Sequence, residues 1–268
     1  MRTVSAEVLA PLRHDPARSA ILLDIDGTLA PIVSQPSDAH VPQGTRQLLS
    51  AIARRYGVVA CISGRRASEA RAMVGVGSIS YLGSHGSELL RAGWTEAVLD
   101  PGLEPWVRRI QGFGREVDTP ERRRVGVRLE DKGAIVAFHW RGARDEQAAR
   151  AAVDAVAARA SDSGLRTHWG RKVLEVRPPV PIDKGSGLRR LLDDLDLIAA
   201  LYAGDDRTDL DAFRALAELR ESGRLSHVVR VGVASEEGPE ELVGQADVVV
   251  DGPDGVTRLL EVLIADPG

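Results

Sequence analysis

A single cysteine, Cys61, stands in 268 residues, so no disulfide can staple the chain and no cysteine-built zinc module can form. Aromatic residues make up only 4% of it, too few for a surface that stacks successive bases of single-stranded nucleic acid. No apolar run approaches the roughly 18 residues of a membrane span. The first twenty residues, with Arg2, Glu7, Arg13, Asp15 and Arg18 spread through them, do not read as a secretory leader. A soluble, cytoplasmic protein is expected, with no membrane partner. Lysine is nearly missing: Lys132, Lys172 and Lys184 are the only three among 35 basic residues. Where arginine is so strongly preferred, a retained lysine can mark a place that needs a compact ammonium rather than a planar fork; chance retention is the competing explanation. Nucleotide fingerprints are absent too: there is no Gly-x4-Gly-Lys-Ser/Thr loop and no Gly-x-Gly-x-x-Gly. No Gly-x-Ser-x-Gly elbow occurs. The histidines are scattered, without a His-x3-His pair, and His139, alternating within an expected strand, reads as structural.

What is present is ordinary in amount, with 43% apolar and 28% charged residues, enough for a sizeable core. At about 150 residues per domain the length allows one large or two modest domains. The net charge of −4 is unevenly distributed. Residues 103–179 hold 16 basic against 11 acidic residues, and the remainder 19 against 28. An acidic whole disfavours nucleic acid as a partner, while a basic segment can attract an anionic small molecule.

Short apolar runs alternate with helix-like stretches at both ends of the chain. Ser19–Ile25, Gly57–Ile62, Ile79–Gly83, Ile198–Ala203, His227–Val233 and Asp247–Asp251 read as buried strands. Gly44–Tyr56, Ala67–Val74, Lys184–Leu195, Thr208–Leu219 and Gly255–Ile264 read as helices. Continuous apolar strands separated by helices indicate an α/β protein with a doubly wound, mostly parallel sheet. The middle differs. Leu103–Val117 and Ala143–Ala160 read as helices, each followed by a hairpin (Val125–Glu130 with Gly133–His139, then Leu165–Trp169 with Lys172–Arg177). This repeated α-β-β pattern predicts a small antiparallel sheet with two helices on one face. The expected organisation is a core of residues 1–102 and 180–268 interrupted by an inserted α+β cap, 103–179. The segment before Ser19 fits either a loose arm or a packed helix.

Four short motifs fall at strand ends. Asp24-Ile25-Asp26-Gly27-Thr28 follows the first strand, and a pattern of that kind arises by chance only a few times in ~1,000 chains of this length. Ligands of open α/β sheets bind at the carboxyl ends of the strands. Just past a strand, two acids two residues apart can converge, one to attack and one to move a proton. Gly27 lets the backbone turn and approach a ligand. Asp205-Asp206 with Asp209 follows a later strand, and an oxygen-only acidic cluster suits Mg2+. Ser63-Gly64-Arg65 can hold an anion at a helix start, although it also fits a common turn. Lys184 opens a helix, where it can neutralise a phosphate or a carboxylate or lie on the surface.

In this order the motifs resemble those of the haloacid-dehalogenase-like phosphohydrolases, over the whole core. The resemblance implies that Asp24 is a nucleophile forming an aspartyl-phosphate and that Asp26 is the general acid and base. It implies that Ser63 and Lys184 hold the phosphoryl oxygens. It further implies Mg2+ on Asp24, the Asp26 carbonyl and Asp205, supported by Asp206 or Asp209. Gly83-Ser84-His85-Gly86-Ser87-Glu88, the run Glu130-Asp131-Lys132 ahead of Phe138-His139-Trp140-Arg141, and Gly170-Arg171-Lys172-Val173-Leu174-Glu175 resemble trehalose-6-phosphate phosphatases, over roughly Ala20 to Leu263. That likeness implies hydrolysis of trehalose 6-phosphate, with Glu130, Lys132 and Glu175 brought onto the sugar by cap closure; a monomer is expected rather than an oligomer. It places Gly27, Thr28, Gly64, Arg65, His85 and Glu88 among the substrate contacts. Ile25 stands where the family usually has Tyr, and Leu210 where it usually has Glu, one carboxylate fewer beside the metal cluster. The alternatives are another ester, such as a sucrose, glycosylglycerate or pseudo-disaccharide phosphate, and a non-catalytic module that binds sugar phosphate.

Overall fold

The computed structural model describes residues 6–33, 39–235 and 238–265. The first element is α1 (Ala6–His14), with Leu9 and Leu12 fully buried. Of the two readings open for this segment, the packed helix is the one observed; residues 1–5 lie outside the described residues. There follow β1 (Ser19–Leu23), α2 (Gln43–Ala53), β2 (Val58–Ile62), α3 (Ala67–Val74), β3 (Ser80–Gly83), β4 (Glu88–Leu90) and β5 (Val98–Leu99). The middle of the chain forms α4 (Glu104–Val117), α5 (Pro120–Arg124), β6 (Arg128–Asp131), β7 (Val136–His139), α6 (Glu146–Asp162), β8 (Arg166–Gly170) and β9 (Val173–Arg177). The last third forms α7 (Lys184–Leu192), β10 (Ala199–Gly204), α8 (Asp209–Glu221), β11 (His227–Ala234), α9 (Glu240–Gln245), β12 (Val248–Asp251) and α10 (Gly252–Ile264). Two compact units result: Met1–Val98 with Asp183–Gly268, and Leu99–Ile182.

In the first unit the strand order is β12-β11-β10-β1-β2-β3-β4-β5. The strands from β12 to β3 pair in parallel, and β4 returns antiparallel to β3. Every residue of β1 is buried. Ile21 and Leu23 join one apolar cluster with α1, α2, α3 and α10, while Ala20 and Leu22 join another with α7 and α8. Alternate side chains thus enter separate layers, which is why the strand shows no polar face. The expected doubly wound α/β sheet is observed. From β1 the chain winds one way through β2 and β3 and the other way through β10, β11 and β12. The boundary between β1 and β10 is therefore a topological switch point, where a crevice opens beyond the strand ends.

The second unit has a four-stranded antiparallel sheet, ordered β6-β7-β9-β8. Val136, Phe138, Leu174 and Val176 pack against Ile110, Phe113 and Val117 of α4 and Val153, Val156 and Ala160 of α6. Both helices cover one face, as the α-β-β repeat predicts. The alternate residues, Glu130, Ala137, His139 and Glu175 among them, belong to the other face.

Candidate active site

The parallel ladder sets the first distances. Leu23 pairs with Ala203, and the Asp24 amide donates to the Ala203 carbonyl at 2.8 Å. Two loops therefore leave neighbouring strand ends together, one carrying Asp24 and the other Asp205. The first turns at once. Gly27 N–H donates to the Ala30 carbonyl at 2.7 Å, and the Ile25 carbonyl accepts from Leu29 at 2.8 Å and Ala30 at 2.9 Å. Gly27 has φ +89°, and a Cβ there would stand 2.0 Å from Asp205 Oδ2. Only glycine allows both the turn and that approach. The Thr28 hydroxyl, fully buried, donates to Asp205 Oδ1 at 3.3 Å.

Asp24, Asp205 and Asp209 are all buried, with one carboxylate oxygen from each lying within 4.8 Å of the others. Lys184, the first residue of α7, reaches among them: its Nζ donates to Asp24 Oδ1 and to Asp209 Oδ1, both at 2.6 Å. Asp209 is saturated. Its Oδ1 also accepts from the Tyr202 hydroxyl at 2.5 Å, and its Oδ2 accepts from the amides of Asp205 at 2.9 Å and Asp206 at 2.8 Å. Asp209 thereby ties the loop after β10 to the lysine. Asp206 lies at the edge of the cluster: its Oδ1 accepts from the amide and hydroxyl of Thr208 at 2.7 and 2.6 Å and stands 4.0 Å from Lys184 Nζ. Leu210 is buried in the apolar cluster with Leu188 and Phe213 and serves the core.

Electrostatically the cluster is unbalanced: three buried carboxylates, with Asp206 at their edge, face one ammonium. Burial pushes the Asp24 carboxyl well above the usual carboxylate range, against the pull of Lys184, and Asp209 and Asp205 add to the rise. Burial likewise pushes Asp205 up to about 7, helped by Asp209 and Asp206. Burial alone would depress the Lys184 ammonium, but Asp209 and Asp24 outweigh it and its pKa lies well above the ordinary value. An all-oxygen donor set with surplus negative charge is what a hard divalent cation requires, so these residues fit Mg2+.

Asp26 does not join the cluster. Arg65 grips it in a bidentate pair, Nε to Oδ2 and Nη2 to Oδ1, both at 2.7 Å. Ser63 is buried at the end of β2, and its Oγ accepts from the Arg65 amide at 3.1 Å. The His85 ring covers Gly64, where an added Cβ would meet Cε1 at 2.9 Å. Ser84 and His85 both hold positive φ, 49° and 59°, and their amides donate to the carbonyls of Arg65 at 2.7 Å and Ser63 at 3.0 Å. A costly backbone thus braces the Ser63-Gly64-Arg65 turn. Glu88 is turned to the start of α3, accepting from the Ala67 amide at 3.0 Å and facing Arg66 at 3.4 Å.

In the second unit, buried Lys132 donates to Glu175 Oε1 at 3.2 Å and lies 3.9 Å from Glu130 Oε2. Arg177 Nε reaches Glu175 Oε2 at 3.1 Å. His139 Nε2 lies 2.6 Å from Glu130 Oε2. Two of the three lysines are therefore buried among carboxylates; Lys172 pairs with the exposed Glu146 at 2.5 Å. Three contacts escaped the sequence reading. Tyr202 lies in an apolar strand and reads as core, although a buried phenol needs a partner. The grip of Arg65 on Asp26 joins residues far apart in sequence. His139 passes for a structural strand residue.

The strand order and the acidic cluster at the ends of β1 and β10 define a haloacid-dehalogenase-like hydrolase fold. A haloacid dehalogenase-like hydrolase from Bacteroides thetaiotaomicron matches with TM-score 0.62, 16% identity, and 91% and 98% of the two chains covered. The C-terminal domain of the trehalose-6-phosphate phosphatase of C. albicans matches with TM-score 0.73, 21% identity and 98% of each chain. The trehalose-phosphatase family model matches residues 22–243, and this chain belongs to that family. Probable trehalose-phosphate phosphatase 9 of Oryza sativa subsp. japonica is 34% identical over 74% of this chain, which spans 60% of that relative's length.

Proposed function

We propose that this chain is a divalent-metal-dependent phosphoric monoester hydrolase that converts trehalose 6-phosphate to trehalose and phosphate. The observation that carries the reading is the buried Asp24–Lys184–Asp209 arrangement beside Asp205 at the switch point, within the segment that the family model matches.

The difficulty is to bring a carboxylate to a phosphate dianion. Lys184 holds one oxygen of Asp24 and leaves the other for in-line attack on phosphorus, while its charge offsets the incoming phosphoryl group. The bond from Asp24 to phosphorus forms as the bond from phosphorus to the sugar oxygen breaks. Asp26 gives that oxygen its proton, for which its pair with Arg65 must open. As a carboxylate, Asp26 then takes a proton from water, the water attacks phosphorus, and Asp24 is regenerated with release of phosphate. Ser63 and the amides of the Gly64-Arg65 turn supply hydrogen bonds to the phosphoryl oxygens, the Arg65 amide on release from Ser63 Oγ. Asp24, Asp205 and the Asp26 carbonyl would hold Mg2+, which supplies positive charge for the phosphoryl oxygens when bound. The polar sheet face of the inserted unit, with Glu130, Lys132 and Glu175, has the donors and acceptors a polyol needs. In this reading the insertion works as the cap, a small sugar phosphate is the partner, and the enzyme acts as a cytoplasmic monomer.

Phosphate release from a panel of sugar phosphates, with and without Mg2+, tests the assignment. Trehalose 6-phosphate should rank first and require the metal. A poor rank for it would transfer the activity to another ester, and no turnover of any ester would favour a binding module.

A further inference from the structure

The two carboxylates on the polar face of the small sheet are not equivalent. Glu175 is buried with both oxygens engaged, Oε1 by Lys132 and Oε2 by Arg177. Glu130 is half-exposed. Its Oε2 is held by His139, with Lys132 at 3.9 Å, while its Oε1 accepts no hydrogen bond among the described residues. Only Glu130 has an oxygen to offer. Strand register explains how His139 reaches it. Glu130 pairs across the ladder with Ala137, whose methyl group leaves the face low, and His139 is the diagonal neighbour two residues along β7. Diagonal pairs lie about 7–8 Å apart at the backbone, within reach of a long side chain. An ionised carboxylate only accepts, so His139 Nε2 must carry the hydrogen.

We propose that His139 is a positioning residue for carbohydrate binding, holding Glu130 through Oε2 so that Oε1 is presented to a sugar hydroxyl. The proposal rests on the sugar-phosphatase reading and deepens it. The His139 hydrogen bond is also the main influence that holds the Glu130 carboxyl below the usual carboxylate range, against the opposing effect of burial. A group so held is an acceptor, matched to hydroxyl donors. Its charge repels a phosphoryl group, so Glu130 meets the neutral part of the ester.

The test compares wild type, His139→Gln, His139→Asn and His139→Ala on trehalose 6-phosphate and on p-nitrophenyl phosphate, whose leaving group has no hydroxyls to recognise. The glutamine amide reaches the place of Nε2; the asparagine amide does not. A charge-assisted hydrogen bond is worth enough that its loss should raise KM for trehalose 6-phosphate about tenfold or more. In H139A and H139N the ratio of kcat/KM between the two substrates should fall at least about fivefold, and in H139Q it should stay within about threefold of wild type. An unchanged ratio in H139A and H139N overturns the proposal, as does a fall in H139Q as deep as theirs. Equal losses on both substrates overturn it as well. If wild type prefers a different sugar phosphate, the trehalose assignment fails, and the same comparison on the preferred ester decides the role of His139. If wild type favours no sugar phosphate over p-nitrophenyl phosphate, both readings fail.

Discussion

The acidic cluster of the first unit and the charged face of the second use similar residues in opposite ways. Asp24, Asp205, Asp209 and Lys184 are buried and carry more negative than positive charge. Glu130, Lys132, Glu175, Arg177 and His139 are paired nearly one to one, and part of the network meets solvent. Buried surplus charge is costly and persists only where ligands relieve it. Matched charges cost less than a surplus, and the half-exposed Glu130–His139 edge can exchange partners for hydroxyl groups. The first arrangement suits chemistry on a phosphoryl group, and the second suits recognition of a polyol.

Substitutions should separate the two regions, from the most to the least severe. Asp24→Asn should lower turnover of every ester by at least ~10⁴-fold, as loss of a covalent nucleophile does, measured as phosphate release. Gly27→Ala should come next. Its Cβ would collide with Asp205 in a backbone that disfavours side chains, costing about 1–2 kcal/mol from the left-handed conformation alone, and displacing Asp205 should remove most activity. Calorimetry and assay together would register both. Glu130→Gln should weaken kcat/KM for trehalose 6-phosphate by about 10- to 100-fold, chiefly through KM, since one charge-assisted acceptor is lost. Equal loss on p-nitrophenyl phosphate would erase the distinction between the regions.

The contrast also extends to pH. The Asp205 carboxyl is raised to about 7 in the folded protein, mainly by burial. Its protonated form is therefore favoured by folding. That contribution is complete below the ordinary carboxylate range and is lost as pH rises through about 7. Metal-free protein should lose melting temperature over that interval, and added Mg2+ should restore more at pH 8 than at pH 6. An increment independent of pH would contradict the account of the cluster. The smallest effect on turnover is expected for Tyr202→Phe, which removes one hydrogen bond to the Asp209 carboxylate and should cost about 1.5–3 kcal/mol of stability with only a modest fall in kcat.

Much of this architecture was legible from pattern. The limits of α3 match the reading, and the other core elements agree within a few residues, because strands buried on both faces leave unbroken apolar runs. The short elements β4, α5 and α9 were not legible. The run Pro120–Arg124 is a helix of five residues capped by the Thr119 hydroxyl, without an apolar stripe to announce it. At the site, spacing singled out Asp24, Asp205 and Asp209, and the family resemblance added Lys184; the fold brings the four together. Partners fixed by long-range geometry were out of reach: Arg65 for Asp26 and Tyr202 for Asp209. Glu88 faces the amide end of α3, a placement that no local motif encodes.

The central claim is that the Asp24 carboxylate attacks phosphorus. Acid quench of the enzyme turning over 32P-labelled trehalose 6-phosphate, followed by peptide mapping, examines it directly. Label should appear on the peptide containing Asp24, be labile to hydroxylamine, and vanish in Asp24→Asn. Steady turnover with no labelled protein, or label on a peptide without residue 24, would contradict it.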